Sequence, residues 1–255
     1  MRPEIDFAGR QVHGSRETQD DYYGFCPLST ETDGFDGLLL GLADGMGGYK
    51  GGSTASRIVV ESFIEHFCFS RGSIPERLLS SLRASRRSLL EEIARNDESL
   101  GHMGSTLVAV VWSPAGLHWV SVGDSGLYLF RDGAIQRINA DHSMTPLLAE
   151  QVAQGEMTAE EAAHHPDRHA LRSAIAARPL EIYELRDEPF VLQRGDIVCA
   201  ATDGLATLSP DAVTERLQTN ARQSAAHIAS ALLIAVNEIG KKKQDNATVA
   251  VVRQE

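Results

Sequence analysis

Aspartate residues stand at the ends of apolar, strand-like segments in distant parts of this 255-residue sequence. Asp44, Asp124 and Asp203 each follow such a segment, and Asp245 stands just before another. If these strands are neighbours, the carboxylates converge on one rim, where they repel one another unless cations neutralise them. Because no His or Cys accompanies them, the oxygen ligands favour a hard ion, so we predict Mg²⁺ or Mn²⁺ rather than zinc.

Asp-Gly pairs are also the commonest signal of a tight hairpin turn, and the sequence contains several. We predict plain turns at Asp33-Gly34, Asp36-Gly37 and Asp132-Gly133. The stretch from Asp44 to Gly48 differs, because it is followed by Gly51-Gly52 and so contains too many glycines for a two-residue hairpin. Glycine allows the backbone to approach a ligand closely, so a carbonyl can join the Asp44 carboxylate as a metal ligand.

Arg16 lies near Asp20 and Asp21, after a predicted first strand over residues 6–14. A surface salt bridge is the simple interpretation of this arrangement. If the acids bind metal, the guanidinium instead offers a fork that matches phosphate oxygens, for which lysine would be a poor substitute.

Short runs rich in β-branched and aromatic residues predict strands at 38–43, 107–112, 117–122, 127–131, 196–201 and 247–252. The run 107–112 is apolar without alternation, so we expect it to be covered on both faces. Apolar residues recur at helical spacing in three segments, which begin at Ala55, Leu78 and Ile228, and we predict a helix in each. Ser53 is the expected cap of the first helix. The clustered strands and short connections favour an α+β fold with antiparallel sheets over a parallel βαβ fold.

The overall composition is that of a folded globular protein, with 42% hydrophobic and 23% charged residues. We find no linker or repeat and predict one domain over 1–255. The net charge of −11 repels phosphate backbones, so we expect no nucleic-acid partner. No apolar run approaches the roughly 18 residues of a membrane span, and residues 1–6 lack an export signal, so we expect a cytoplasmic monomer with no membrane partner.

The three cysteines, Cys26, Cys68 and Cys199, are widely separated and show neither a metal-binding nor a redox spacing. We predict that they are buried thiols.

Six short segments occur in an order that matches a known family. They are Arg16 to Asp21, Asp44 to Gly48, Gly104 to Thr106, Val122 to Ser125, Asp203 to Leu205 and Asp245 to Val249. Together they resemble the motifs of the metal-dependent Ser/Thr protein phosphatases of type 2C, in particular the bacterial branch. The resemblance implies two stacked antiparallel β-sheets flanked by helix pairs, a four-layer αββα sandwich within the α+β class.

The resemblance also implies a set of metal ligands. Asp44, Asp203 and Asp245 would hold one ion, while Asp44 and the Gly45 carbonyl would hold a second. We therefore expect two core ions, Mg²⁺ or Mn²⁺.

Further residues have supporting roles in the same family pattern. Asp20 and Asp21 would support the ions through waters, and Asp124 together with Asp203 would form a third, weaker site. Arg16 would hold the substrate phosphate.

The activity implied by the resemblance is hydrolysis of phosphoserine and phosphothreonine in phosphorylated protein substrates, by a metal-activated water without a covalent enzyme intermediate. The enzyme would reverse the action of a Ser/Thr kinase. The alternative is a catalytically weak member of the same fold that serves as a phosphoprotein-binding module. The intact set of acids argues against this alternative.

Three positions depart from the family pattern. Gln19 stands where Asn is usual, and Gly126 follows Ser125 where Arg is common, close to the expected third-site ligand Asp124. Met46 occupies the place where animal members carry a His that is a proposed acid for the leaving group.

Several other features have simpler interpretations. The segment from Gly123 to Gly126 also spells the nucleophile motif of trypsin-like proteases, but the disulfides and partner residues of that class are missing. Residues 141–178 resemble the family's variable flap, and we assign no catalytic residue there. We predict that His164, His165 and His169 lie in a solvated loop and that 241–243 is a solvated turn.

Overall fold

The computed structural model describes residues 1–48, 51–95 and 102–254. In chain order the strands are β1 (Phe7–Val12), β2 (Asp21–Leu28), β3 (Gly37–Met46), β4 (Gly104–Ser105), β5 (Leu107–Ser113), β6 (Gly116–Val122), β7 (Gly126–Arg131), β8 (Ala134–Arg137), β9 (Ile175–Ala176), β10 (Glu184–Phe190), β11 (Ile197–Ala201) and β12 (Ala247–Arg253). The helices are α1 (Thr30–Asp33), α2 (Gly51–Phe69), α3 (Ile74–Arg95), α4 (Thr145–Gln154), α5 (Ala159–Ala163), α6 (Pro210–Asn220) and α7 (Ala225–Glu238). A 3₁₀ turn covers Asp203–Thr207.

The strands form two sheets whose paired strands all run antiparallel. One sheet has the spatial order β1-β12-β11-β7-β8. The other has the order β10-β6-β5-β3-β4-β9, and β2 also pairs with β3. Helices α2 and α3 pack on the second sheet, while α6 and α7 pack on the first. The predicted sandwich of antiparallel sheets flanked by helix pairs is confirmed.

Apolar side chains fill three layers, and the period of two along each strand decides which layer a residue enters. In β3, Leu38, Leu40 and Leu42 point between the two sheets, whereas Leu39 and Ala43 face the helices. Strand β5 is buried along its whole length in the same way, with residues 108, 110 and 112 in the central layer. The absence of alternation in 107–112 therefore reflects cover on both faces, as expected.

Each predicted strand and helix is present, with small differences at the boundaries. The first strand is shorter than 6–14 and covers Phe7–Val12. Strand β3 continues past Ala43 to Met46, so Asp44 lies inside a strand rather than after its end. The expected cap at Ser53 is wrong, because α2 begins at Gly51 and Ser53 lies within its first turn.

Two of the predicted turns differ in structure: one is a hairpin turn and the other is the end of a short helix. Asp132 and Gly133 both have positive φ, at 52° and 80°, and join β7 to β8 as a two-residue hairpin. Asp33-Gly34 ends the short helix α1, with Gly34 at φ 83°. Asp33 does more than turn the chain, because its carboxylate forms a buried ion pair with Arg77 at 2.6 Å.

The prediction of buried thiols is correct for one of the three cysteines. Cys199 is buried in β11, as expected. Cys26 and Cys68 are only half-buried, and β2 and α2 bring their sulfur atoms to 3.0 Å from each other. Sequence separation could not reveal this contact, because it depends on how α2 packs across β2.

Both tryptophans, Trp112 and Trp119, lie in the central layer. Residues 241–243 are exposed, as predicted. Among the described helices, none is long and apolar enough to cross a membrane.

Candidate functional site

The acidic residues meet at one end of the sandwich because of the register between two strands of the second sheet. Asp21 at the start of β2 is paired with Asp44 near the end of β3. Close packing holds this register in place: an added Cβ on Gly45 would lie 1.9 Å from the Gly52 carbonyl oxygen at the start of α2. The strands and α2 therefore approach at a distance that only glycine permits.

Asp21 ties the two sheets together. Its Oδ2 accepts hydrogen bonds from the hydroxyls of Thr202, at 2.8 Å, and Thr248, at 2.7 Å. Thr202 directly follows β11, and Thr248 lies in β12. Burial raises the pKa of Asp21 to about 7, against the two hydroxyl hydrogen bonds that favour its ionised form. Asp203 and Asp245 raise it further by charge repulsion. Asp21 is thus the deepest carboxyl of the group.

Asp44 and Asp203 form the centre of the cluster. Burial raises the pKa of Asp44 well above its ordinary value, and the charges of Asp21, Asp203 and Asp124 raise it further. Asp203 is exposed at one side, yet desolvation by the surrounding atoms and the charge of Asp245 raise its pKa, and it is within hydrogen-bonding reach of Asp44. Carboxyls arranged in this way need either protons or cations to be stable.

Asp245 is a partly exposed member of the acid cluster. Its Oδ2 accepts a 2.7 Å hydrogen bond from Arg16, and the two side chains are 44% and 59% exposed. Hydrogen bonding to Asp245 raises the pKa of the Arg16 guanidinium. The simple interpretation of Arg16 therefore holds in part, but its ion-pair partner comes from the far end of the chain and not from Asp20 or Asp21.

Asp20 is held in place by hydrogen bonds of its backbone, and its carboxylate Oδ1 has no hydrogen-bond partner among the described residues. Its N–H donates to the side chain of Asn246 at 2.8 Å, and its carbonyl accepts from Gly45 at 3.0 Å. The Oδ1 atoms of Asp20 and Asp21 are both buried and have no hydrogen-bond partner. Buried carboxylate oxygens without partners are costly and call for a ligand.

Whether these residues fit a metal can be judged from their chemistry and geometry. In the part of the chain that the structure describes, no group of three or more His, Cys, Asp or Glu side chains is arranged to hold an ion as it stands. In the same part of the chain, Arg16 pairs with Asp245 and two threonines bind Asp21. The donor set nevertheless fits a hard divalent cation: it is all oxygen, mutually repulsive and includes unpartnered buried oxygens.

Asp124 lies at the edge of this group. Burial and the charges of Asp203 and Asp141 raise its pKa to about 6. Gly126 stands where the family that the motifs resemble commonly has Arg. In the structure the Arg137 guanidinium donates to the carbonyls of Asp124, at 2.9 Å, and Ser125, at 3.3 Å. An arginine is thus beside Asp124 after all, but it comes from β8.

Ser125 has no role as a protease nucleophile. Its side chain is 1% exposed, and its hydroxyl shares a 2.7 Å hydrogen bond with Thr106 rather than with a histidine. The trypsin-like interpretation of this segment is therefore wrong.

An open cavity of about 760 Å³ collects most of the predicted residues. The predicted members of its lining are Arg16, Asp20, Asp44, Gly45, Asp124, Asp203 and Asp245. Asp21 lies behind them, bonded to the threonines. His169 also lines the cavity, and its charge lowers the pKa of Asp203. This histidine is exposed, as the solvated-loop prediction requires, but its place beside the acids was not foreseen.

Comparison with known proteins agrees with this geometry. The family model described as protein phosphatase 2C matches residues 8–243. The serine/threonine protein phosphatase PstP of Mycobacterium tuberculosis is 31% identical over 192 residues, which cover 74% of this chain and 36% of that protein. The chain thus spans about a third of the length of this relative.

Two further matches cover most of this chain and most of the protein compared with it. The serine/threonine phosphatase stp of Listeria monocytogenes is 27% identical over 218 residues, covering 84% of this chain and 83% of that protein. The crystal structure of the catalytic domain of serine threonine protein phosphatase PstP in complex with two manganese ions is 26% identical, with a TM-score of 0.75, and covers 98% of this chain and 97% of that one. The family model, the shared fold and the order of the acids agree, and the chain belongs to the protein phosphatase 2C family.

Proposed function

We propose that this protein is a metal-dependent protein Ser/Thr phosphatase that hydrolyses phosphoserine and phosphothreonine monoesters. The observation that carries the proposal is the gathering of Asp44, Asp124 and Asp203 in one cavity, with pKa values raised by burial and mutual repulsion. Membership of the family and the manganese bound by PstP support it.

Each acid has a proposed role toward two core ions. Asp44, Asp203 and Asp245 would ligate one ion, and Asp44 with the Gly45 carbonyl would ligate the other. Asp20 and Asp21 would act through waters, consistent with their unpartnered Oδ1 atoms. When bound, Mg²⁺ or Mn²⁺ supplies an acidified water as nucleophile and positive charge for the phosphoryl oxygens.

Asp124 would contribute, with Asp203, to a third and weaker ion site. The carbonyl contacts of Arg137 fix the backbone of Asp124 and Ser125 and so hold this carboxylate at the cavity edge.

Arg16 would bind the substrate phosphate and orient it. The guanidinium already lies at the cavity mouth beside Asp245, and it is half exposed, so it can turn toward an arriving phosphate. A bidentate contact from arginine fixes two phosphate oxygens and aligns the ester for attack. Met46 carries no transferable proton, so the leaving alkoxide takes its proton from water rather than from this position.

The biological setting follows from the same proposal. Substrates would be phosphorylated proteins, and a Ser/Thr kinase would act in the opposite direction. We propose that the enzyme works in the cytoplasm as a monomer, with no nucleic acid or membrane as partner, in keeping with its net charge of −11.

Hydrolysis of para-nitrophenyl phosphate and of a phosphothreonine peptide tests the proposal. We expect turnover with Mn²⁺, loss on chelation, and a fall of about 10²-fold or more in Asp44→Asn and Asp203→Asn, because each removes a metal-ligating charge. Asp132→Asn, at an exposed turn, is the matched control and keeps full activity.

Two results would overturn the proposal. Turnover that is equal in all variants and insensitive to chelator would remove the metal mechanism. Peptide binding without turnover in any sample would instead support the alternative, a phosphoprotein-binding module.

A further inference from the structure

The active-site cavity adjoins a second cavity of about 750 Å³ along the flap. Met46 at the end of β3 and Leu171 in the flap line both cavities. A residue seated at the acids therefore has the second cavity beside it. A phosphorylated side chain of a protein carries backbone on both sides, so its neighbours must lie against some such surface.

The second cavity has an apolar floor and a charged rim. Met103 is 1% exposed and contributes to the floor with Ile182. Arg172 and Arg178 stand on the rim with exposed side chains. Among the described residues, neither Arg172 nor Arg178 forms an ion pair with a carboxylate. Among the described residues of its lining, Glu181 is the one acid.

A third cavity of about 470 Å³ extends the same path toward α3. It shares Pro179 with the second cavity and brings in Arg83 and Arg86. Arg86 also fixes the wall between the two cavities, because its Nη2 donates to the carbonyls of Ala177, at 3.4 Å, and Arg178, at 3.2 Å. The wall is therefore tied to a long helix.

The charge along this path is opposite to that of the molecule. The net charge of the chain is −11, yet among the described residues four arginines and one glutamate line the two cavities, which we name the flap groove. A basic groove on an acidic protein attracts negative segments and repels positive ones.

We propose that the flap groove binds an acidic segment of the phosphoprotein substrate, next to the phosphorylated residue, with one apolar side chain on the floor of the second cavity. The inference rests on the proposed phosphatase function and adds to it the substrate class. Arg172 and Arg178 contact the acidic side chains, and Met103 and Ile182 receive the apolar one. The groove sets which phosphoproteins bind, while the acids of the active site carry out hydrolysis.

Matched phosphothreonine peptides test the groove in the Mn²⁺-loaded enzyme. One set carries Glu on both sides of the phosphothreonine, and the other carries Lys at the same positions. We expect kcat/KM to favour the Glu peptide by about tenfold, with most of the difference in KM, and the preference to shrink at high salt.

Charge reversal separates the groove from the chemistry. In Arg172→Glu and Arg178→Glu we expect the preference to fall and to turn toward the Lys peptide, with hydrolysis of para-nitrophenyl phosphate unchanged. Arg194→Glu, at an exposed arginine outside the groove, keeps the preference of the unmodified protein.

The outcomes are distinguishable. If the protein hydrolyses para-nitrophenyl phosphate but has equal kcat/KM for both peptides, the proposed binding of acidic segments in the flap groove is wrong. The proposed phosphatase function is unaffected by that result. No hydrolysis of any substrate with Mn²⁺ overturns both. If Arg178→Glu changes the sedimentation of the protein from dimer to monomer, a second copy occupies the groove and the substrate proposal is wrong.

Discussion

The carboxyl side chains of the cavity carry an energetic cost that their neighbours do not offset. Burial and mutual repulsion raise the pKa of Asp21, Asp44 and Asp203, and two buried oxygens have no partner. Perturbed groups of this kind, in a cleft and facing one another, are typical of functional sites. The stability lost to the cluster is recovered when cations bind to the native state and not to the unfolded chain.

The raised pKa of Asp21 predicts how the metal-free protein responds to pH. The ordinary pKa is 3.8 and the folded value is about 7, so between these values the native state holds a proton that the unfolded state has lost. The contribution of Asp21 to the free energy of unfolding is therefore largest at the acidic end of this window and falls as pH rises toward 7, by up to about 1.4 kcal/mol per pH unit.

Urea unfolding in chelator between about pH 5 and pH 8 checks this slope. Asp21→Asn removes the titrating group and reduces the fall in stability, whereas Asp132→Asn, in an exposed turn, retains it. A slope that is the same in the unmodified protein and in Asp21→Asn would contradict this prediction.

Contacts between helices and strands hold the acidic residues in place from a distance. Arg77 of α3 pairs with Asp33 of α1, with side chains 3% and 5% exposed. The guanidinium also donates to the Phe67 carbonyl at 2.8 Å and stacks on its ring at 4.0 Å, near the end of α2. One side chain thus joins three helices, including the one that packs against Gly45.

Arg77→Met tests this junction. We expect a loss of about 3–5 kcal/mol in the free energy of unfolding, because the buried Asp33 carboxylate loses its partner and the Phe67 carbonyl its donor. The control is Arg87→Met on an exposed face of the same helix, which changes stability by about 0.5 kcal/mol or less. A variant of Arg77 as stable as the control would show that the pair contributes nothing to the fold.

Two of the strands that were not predicted from the sequence, β2 and β10, lie at sheet edges. Strand β2 pairs with β3, and β10 with β6, so each has a single paired neighbour in the second sheet. Edge strands tolerate proline and charge, and Pro27 and Pro189 interrupt the apolar pattern that marks a strand in the sequence. By contrast, α6 had readable signals in Ser209, which caps it, and in the proline that follows.

At the level of the complete fold, the order of the motifs pointed to Asp44, Asp124, Asp203 and Asp245 as neighbours because each lies in or next to a central, strongly apolar strand. Its limits lay in contacts between parts of the chain that are far apart in sequence. The bonds from Thr202 and Thr248 to Asp21, the position of His169 beside Asp203, and the place of Arg137 next to Asp124 all depend on how sheets and flap pack. No local pattern encodes such packing.

Charge is also distributed in a way that only the folded chain reveals. The sequence gives a net charge of −11, and the fold places acids in the cavity and arginines along the flap groove that leaves it. When cations are bound, the cavity becomes attractive to phosphate while the groove remains attractive to acidic segments. The same molecule can thus be acidic overall and still receive negatively charged substrates.

Anomalous diffraction at the manganese edge, from crystals grown in Mn²⁺, tests the metal centre most directly. The account predicts two strong peaks, one among Asp44, Asp203 and Asp245 and one beside Asp44 and the Gly45 carbonyl, with both peaks lost in Asp44→Asn. Well-ordered carboxylates with no anomalous peak between them would contradict it.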